Sequence, residues 1–260
     1  MAAPSNGPMR HIVVHYHLFK NAGTTIDTVL QNHFGDACGA VEGAHPWETL
    51  TPADIADYAR AHPDLRAISS HQARLPVPEA ADMAFHPVLF LRHPIDRVGS
   101  VYEFERLQPP DSPSLGARIA REQDFAAYVR WRLTPGNGAV IRDFQTTHLS
   151  AREADMRTAR ATPTDLAQAC ARLDALPFFG LVERFGASLD RLRTWLSPYI
   201  GSLPGQYTVE NSSEGRKAAL DERLRDIETA LGRELYDRLQ EENALDLRLY
   251  EHALRRFQHG

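Results

Sequence analysis

Residues His11 to Leu30, HIVVHYHLFKNAGTTIDTVL, read as a short buried strand, a tight loop and a helix. The run Ile12 to Tyr16 is apolar and rich in β-branched residues, which suits a strand buried in a parallel sheet. Beyond the loop, Ile26, Val29, Leu30 and Phe34 recur at helical spacing, and Gly35 ends the helix. A strand that turns sharply into a helix presents backbone N–H groups and the positive end of the helix dipole to an anion. Lys20 adds a mobile positive charge, Gly23 permits close backbone approach, and Thr24 and Thr25 add hydroxyls. The bland alternative is an ordinary strand-to-helix turn with a surface lysine.

The same design recurs. Leu65 to Ser70 reads as a second strand ending at His71, and Pro87 to Leu91 as a third, running into Arg92-His93-Pro94 and a helix from Ile95 to about Arg106. Phe178 to Val182 reads as a fourth. Thr51-Pro52 and Thr162-Pro163, each with an acid at the third helical position, are helix starts. Strands alternating with helices predict an α/β fold: a P-loop-like, three-layer arrangement with a central parallel sheet of about four to five strands flanked by helices. Gly39 to Pro46 reads as a loop. Residues 107–176 read as a helical insertion, with a breaker-rich loop over Gln108 to Gly116 and helices near Phe125 to Leu133 and Ala139 to Thr147, and the C-terminus as helical with Leu231, Leu235, Leu239, Leu245, Leu249 and Leu254 as its core stripe. Residues 1–9 read as a disordered leader and 10–260 as one domain. Ligands of such sheets bind beyond the strands' carboxyl ends. Lys20, His71 and Arg92 fall at such ends and are expected to share one site.

The 260-residue chain carries a net charge of −5, so a general affinity for nucleic acid or membrane surfaces is not expected. No apolar run reaches the roughly 20 residues of a membrane span, and the first residues lack the apolar centre of a signal peptide. Two widely spaced cysteines, Cys38 and Cys170, fit a reducing, cytoplasmic setting. Among 29 basic residues only Lys20 and Lys217 are lysines, which marks both as positions where a compact ammonium serves better than a guanidinium.

The loop FKNAGTT lacks the GxxxxGK[ST] pattern of nucleoside-triphosphate cradles. In the second segment, FLRHPIDRVGSVYEF, an arginine at a strand end and a hydroxyl eight residues later can grip a second phosphate. The two segments together resemble the sulfotransferases that use 3′-phosphoadenosine 5′-phosphosulfate (PAPS), particularly the carbohydrate branch typified by heparan sulfate 2-O-sulfotransferases. Phe19-Lys20-Asn21-Ala22-Gly23-Thr24-Thr25 is similar to that family's 5′-phosphosulfate loop, and Arg92 to Tyr102 to its 3′-phosphate segment. Phe178 to Phe185, Asn211 to Lys217, Glu242-Asn243 and Leu249 to Glu251 follow in the family's order. Phe19 stands where the family has proline, His93 where it has an acid, and Gly99 where bulk is common.

The resemblance implies a sulfotransferase moving a sulfuryl group from PAPS to a hydroxyl of a carbohydrate, glycolipid or other small acceptor. It implies Lys20 and His71 as catalytic, with Lys20, Asn21, Ala22, Gly23, Thr24, Thr25, Arg92, Ser100, Arg216 and Lys217 binding the nucleotide. His71 is the candidate base, since histidine titrates near neutral pH; Glu103 and Glu105 stand in reserve. His15 and His17 share one face of the first strand, but no carboxylate or thiol stands at ligand spacing, so no metal is expected. A nucleotide kinase or NTPase, or a non-catalytic nucleotide-binding relative, are the other readings.

Overall fold

The structure, a computed structural model, describes residues 9–45, 47–150, 160–203 and 219–259. It divides into two compact units, Met1–Leu91 with Ala171–Ser212, and Arg92–Cys170 with Ser213–Gly260.

The first unit holds a five-stranded parallel sheet in the order β2-β3-β1-β4-β5. Its strands are β1 (Arg10–Tyr16), β2 (Cys38–Ala40), β3 (Ala67–Ser70), β4 (Met83–Leu91) and β5 (Gly180–Leu181). Helices α1 (Gly23–Phe34), α2 (Pro52–Ala61) and α8 (Phe185–Ile200) accompany it. Along β1, side chains alternate between faces. Val13 faces a core made with Ile26, Val29 and Leu30 of α1, Val88 and Phe90 of β4, and Leu189, Leu192 and Leu196 of α8. Ile12, Val14 and Tyr16 are buried on the other face. Burying a leucine or phenylalanine stabilises by about 1.5–3 kcal/mol, so the period-two and period-3.6 patterns meet on one seam.

Register fixes what emerges at the top of the sheet. Tyr16 pairs with Ser70, so the residues that follow, His17 and His71, leave the sheet side by side. The His17 N–H continues the ladder to the Ser70 carbonyl at 2.9 Å.

The second unit is helical. Its central helix, α3 (Pro94–Arg106), packs against α4 (Leu115–Glu122), α9 (Leu220–Leu231) and α11 (Ala244–His259). At Gly99 a Cβ would come within 3.2 Å of Ile227, so the small residue lets α9 approach. Helices α5 (Phe125–Arg132), α6 (Phe144–Ser150) and α10 (Arg233–Glu241) complete it, and the chain returns to the first unit within α7 (Pro163–Ala175). Leu231, Leu235, Leu239 and Leu249 are buried as the stripe requires, while Leu245 and Leu254 are partly exposed.

Both Thr-Pro starts are capped as expected. Thr51 and Asp54 exchange side-chain and backbone hydrogen bonds, as do Thr162 and Asp165. Four elements differ from the sequence expectation. Residues 38–40 form a strand where a loop was expected from Gly39, residues 115–122 form a helix that was not anticipated, and the fourth expected strand is reduced to Gly180–Leu181. The helix expected over 139–147 begins only at Phe144.

Candidate functional site

The loop between β1 and α1 has the backbone of an anion cradle. Lys20 and Ala22, neither of them glycine, have φ of 65° and 62°. Such left-handed residues each cost on the order of 1 kcal/mol; between them, the Asn21 N–H closes the turn by donating to the Leu18 carbonyl at 3.1 Å. Ala22 is the N-cap of α1, no side chain caps the helix, and its first turn carries no acid. A helix start usually employs a Ser, Thr, Asp or Asn cap; this one has neither that cap nor an acid of its own first turn. Asn21 is buried, and its amide donates to the Phe90 carbonyl at 2.8 Å, which pins the loop to β4. Thr25 is buried and Thr24 exposed, so the two hydroxyls do not have equivalent positions. Lys20 is half-buried at the loop's turn.

Beside the loop stands a cluster that sequence spacing did not reveal. Asp27, one turn into α1, accepts from both strand histidines: His15 Nδ1 lies 2.6 Å from Oδ1 and His17 Nδ1 2.9 Å from Oδ2. Burial would raise the Asp27 pKa, yet the hydrogen bonds and charges of the two imidazoles hold it well below the usual carboxylate range. The His17 ring stacks on His71 with centroids 4.0 Å apart. His71 has its own carboxylate: Glu42 Oε1 lies 2.8 Å from both its N–H and its Nδ1. That contact places the Nδ1 proton toward Glu42 and makes Nε2 the basic nitrogen. His71 is half-exposed, and with Glu42, Asp27, Ser69 and Cys38 it lines a cavity of about 280 Å³ between α1 and the β2–β3 edge.

His15, His17 and Asp27 are also the metal-capable trio among the described residues, with donor atoms within 4.8 Å of one another. Donors on a tetrahedral zinc at about 2.0–2.1 Å sit roughly 3.3 Å apart. The 2.6 Å between His15 and Asp27 is instead the length of a charge-assisted hydrogen bond.

In the second unit, Arg92 precedes α3, which carries Asp96 and Ser100. Arg92 Nε donates to Asp96 Oδ2 at 2.8 Å, and the pair is buried. The same carboxylate receives Arg223 of α9 at 2.8 Å. Two guanidinium groups therefore converge on the Asp96 carboxylate, with Asp221 as a second acid nearby. Burial, reinforced by the charges of Arg223 and Arg92 and opposed by Asp96 and Asp221, brings the His93 imidazole down to about 4. The Arg92 backbone is clamped by the Gln145 side chain, which donates to its carbonyl and accepts from its N–H, both at 2.9 Å. Ser100 is buried on α3. Arg223 was not singled out from the sequence, because one arginine among many in a charged helix carries no spacing signal.

Glu105 is held by Arg132 and Tyr128 in the bundle core, and Glu103 pairs with Arg106 on the surface at 2.8 Å. Arg216 and Lys217, like the rest of the Asn211 to Lys217 segment, lie outside the described residues. No described helix is long and apolar enough to cross a membrane.

No protein-family model matches the chain. An uncharacterized protein of Archaeoglobus fulgidus is 32% identical over 255 residues, covering 96% of this chain and 99% of its own. Similarity of that extent, end to end, shows common descent. The chain belongs to the same family as that archaeal protein.

Proposed function

We propose that this protein is a PAPS-dependent sulfotransferase acting on a hydroxyl of a carbohydrate or other small acceptor. The observation that carries the reading is the β1–α1 loop, whose left-handed Lys20 and Ala22 lead into a helix start with no side-chain cap. Such a cradle fits a tetrahedral anion of phosphate or sulfate size. When bound, PAPS would supply the sulfuryl group. The Lys20 ammonium and the N–H groups of the loop would stabilise negative charge as it develops on the departing phosphate oxygen. One such contact is worth roughly 3–4 kcal/mol. His71, its tautomer set by Glu42, would take the proton of the acceptor hydroxyl from the cavity side, a contribution on the order of 10²–10⁴ in rate. Arg92 and Ser100 are the candidates for the 3′-phosphate, supported by the convergence of Arg92 and Arg223 on Asp96.

The test is a thermal-shift series with 3′,5′-ADP, ADP and ATP–Mg on the wild-type protein and Arg92→Ala. Ligand at 100 times its Kd should add about 2.7 kcal/mol. The reading expects 3′,5′-ADP to stabilise the wild type most, with that advantage over ADP lost in Arg92→Ala. Stabilisation by ATP–Mg without any by 3′,5′-ADP would sink it in favour of a kinase or NTPase.

A further inference from the structure

The cavity that His71 lines has charge of one sign. Its volume of about 280 Å³ suits a single ring-sized unit, since sites for drug-sized ligands run from about 300 to 1,000 Å³. Two carboxylates line it, Asp27 from α1 and Glu42 from the segment after β2, and none of the described residues lining it is a lysine or arginine. Both carboxylates are partly exposed. Against the effect of burial, the hydrogen bonds and charges of His15 and His17 keep Asp27 ionised. The Asp27 charge is felt across the cavity: burial and that charge push the Cys38 thiol up to about 11. Cys38 therefore stays a neutral thiol and brings no compensating or reactive group to the space. In the neutral form in which it can act as a base, His71 offsets none of the negative charge.

We infer that the acceptor is an amino sugar unit, bound with its ammonium group at the Asp27 and Glu42 carboxylates and a hydroxyl at His71. The inference rests on the reading of this cavity as the acceptor site of a sulfotransferase and deepens it. An ammonium group is all donor and a carboxylate all acceptor, so the two complement each other in charge and in hydrogen bonding. An acceptor carrying carboxylate or sulfate groups meets like charge instead, which turns uronic acids and sulfated glycans away. The same charge selects the reacting atom. A nitrogen held as ammonium has no lone pair, so the hydroxyl oxygen is the nucleophile. Its proton passes to His71 Nε2 as the oxygen bonds to sulfur, and the bond from sulfur to the nucleotide phosphate breaks with its electron pair left on the phosphate.

The experiment follows binding by ligand-observed NMR and, in parallel, sulfate transfer from PAPS. Its probes are the methyl glycosides of glucosamine, N-acetylglucosamine and glucuronic acid, at about pH 7, with the wild type and Asp27→Asn. The glucosaminide should bind roughly five- to thirtyfold tighter than its N-acetyl form, the yield of two partly exposed ion pairs. That preference should shrink as NaCl is raised from about 50 to about 500 mM, and the glucuronide should not bind. In Asp27→Asn the preference should fall several-fold, and transferred sulfate should be found on oxygen. Binding of the glucosaminide with this preference, but without transfer from PAPS, would uphold the cavity as an amino-sugar site and sink only the sulfotransferase reading. Preference for the N-acetyl form or the glucuronide, no binding of the glucosaminide, or sulfate found on nitrogen would each overturn the inference. Should Asp27→Asn fail to fold, the three wild-type affinities decide: an order that salt does not change refutes the role of the carboxylates.

Discussion

At the residue scale, Gly23 shows how a readable signal can have an unreadable cause. The sequence marks it as a place of close backbone approach, and the approach is real, but the approaching group is the imidazole of His17. Its φ is not left-handed, so the demand for glycine is steric. Gly23→Ala should therefore cost roughly 1–3 kcal/mol through overpacking and weaken anion binding. Combining it with His17→Ala should restore stability while leaving anion binding weak. Urea denaturation of the two single variants and the double variant measures the coupling, and strictly additive losses would show that the two side chains do not meet. Lys20→Ala addresses a different role. Its expected signature is a turnover loss on the order of 10²–10³-fold with a midpoint of unfolding close to that of the wild type. Comparable losses of turnover and stability would mean that Lys20 mainly holds the loop together. Asp27 could not be found from sequence. Its partners are 12 and 10 residues away, a separation that acquires meaning only once β1 and α1 are packed.

At the scale of elements, the second unit is tied together by a reciprocal cap. The Asp143 carboxylate accepts the N–H groups of Leu245 and Asp246 at 3.0 and 2.9 Å, at the start of α11. Asp246 in turn accepts those of Gln145 and Thr146 at 3.0 and 2.7 Å, at the start of α6. Each carboxylate sits on the positive end of the other's helix. This lock places Gln145, and Gln145 clamps the backbone of Arg92. Asp246→Ala strips two buried N–H groups of their charged acceptor and should cost roughly 2–4 kcal/mol. The same variant should weaken 3′,5′-ADP binding through Arg92, although Asp246 is given no ligand contact. Chemical denaturation checks the first effect and calorimetry the second. Most elements were legible because their signals are local: apolar β-branched runs for β1 and β4, and Thr-Pro-x-Asp boxes for α2 and α7. The strand Cys38–Ala40 was not legible, since a Cys-Gly-Ala segment has no strand propensity and becomes one only by pairing with β3. The start of α6 was misplaced for a related reason, because its cap lies about 100 residues away.

For the molecule as a whole, the carboxylates of the two units respond to acid in opposite senses. Burial and the neighbouring Asp246 charge raise Asp143 to about 7, despite the two N–H groups it accepts. An aspartate in the unfolded chain titrates near 3.9. Between these values the folded state holds more protons than the unfolded one, so stability falls as pH rises. The contribution is complete below about 4 and lost on passing pH 7, an effect of roughly 2–4 kcal/mol. Asp27 behaves in the reverse manner, since its pKa is depressed: its contribution is present above about 4 and disappears on acidification. It is partly exposed, so its share is the smaller. Together they predict that the protein is most stable in the weakly acidic range and loses stability steadily from pH 5 to 7.5. Asp143→Asn keeps a side-chain acceptor for α11 and removes the titration. Differential scanning calorimetry across that interval should show the slope flattened in the variant, with stability at pH 7.5 equal to or above that of the wild type. An unchanged slope would mean that Asp143 is already ionised at pH 5, with the helix start of α11 dominating over burial and the Asp246 charge.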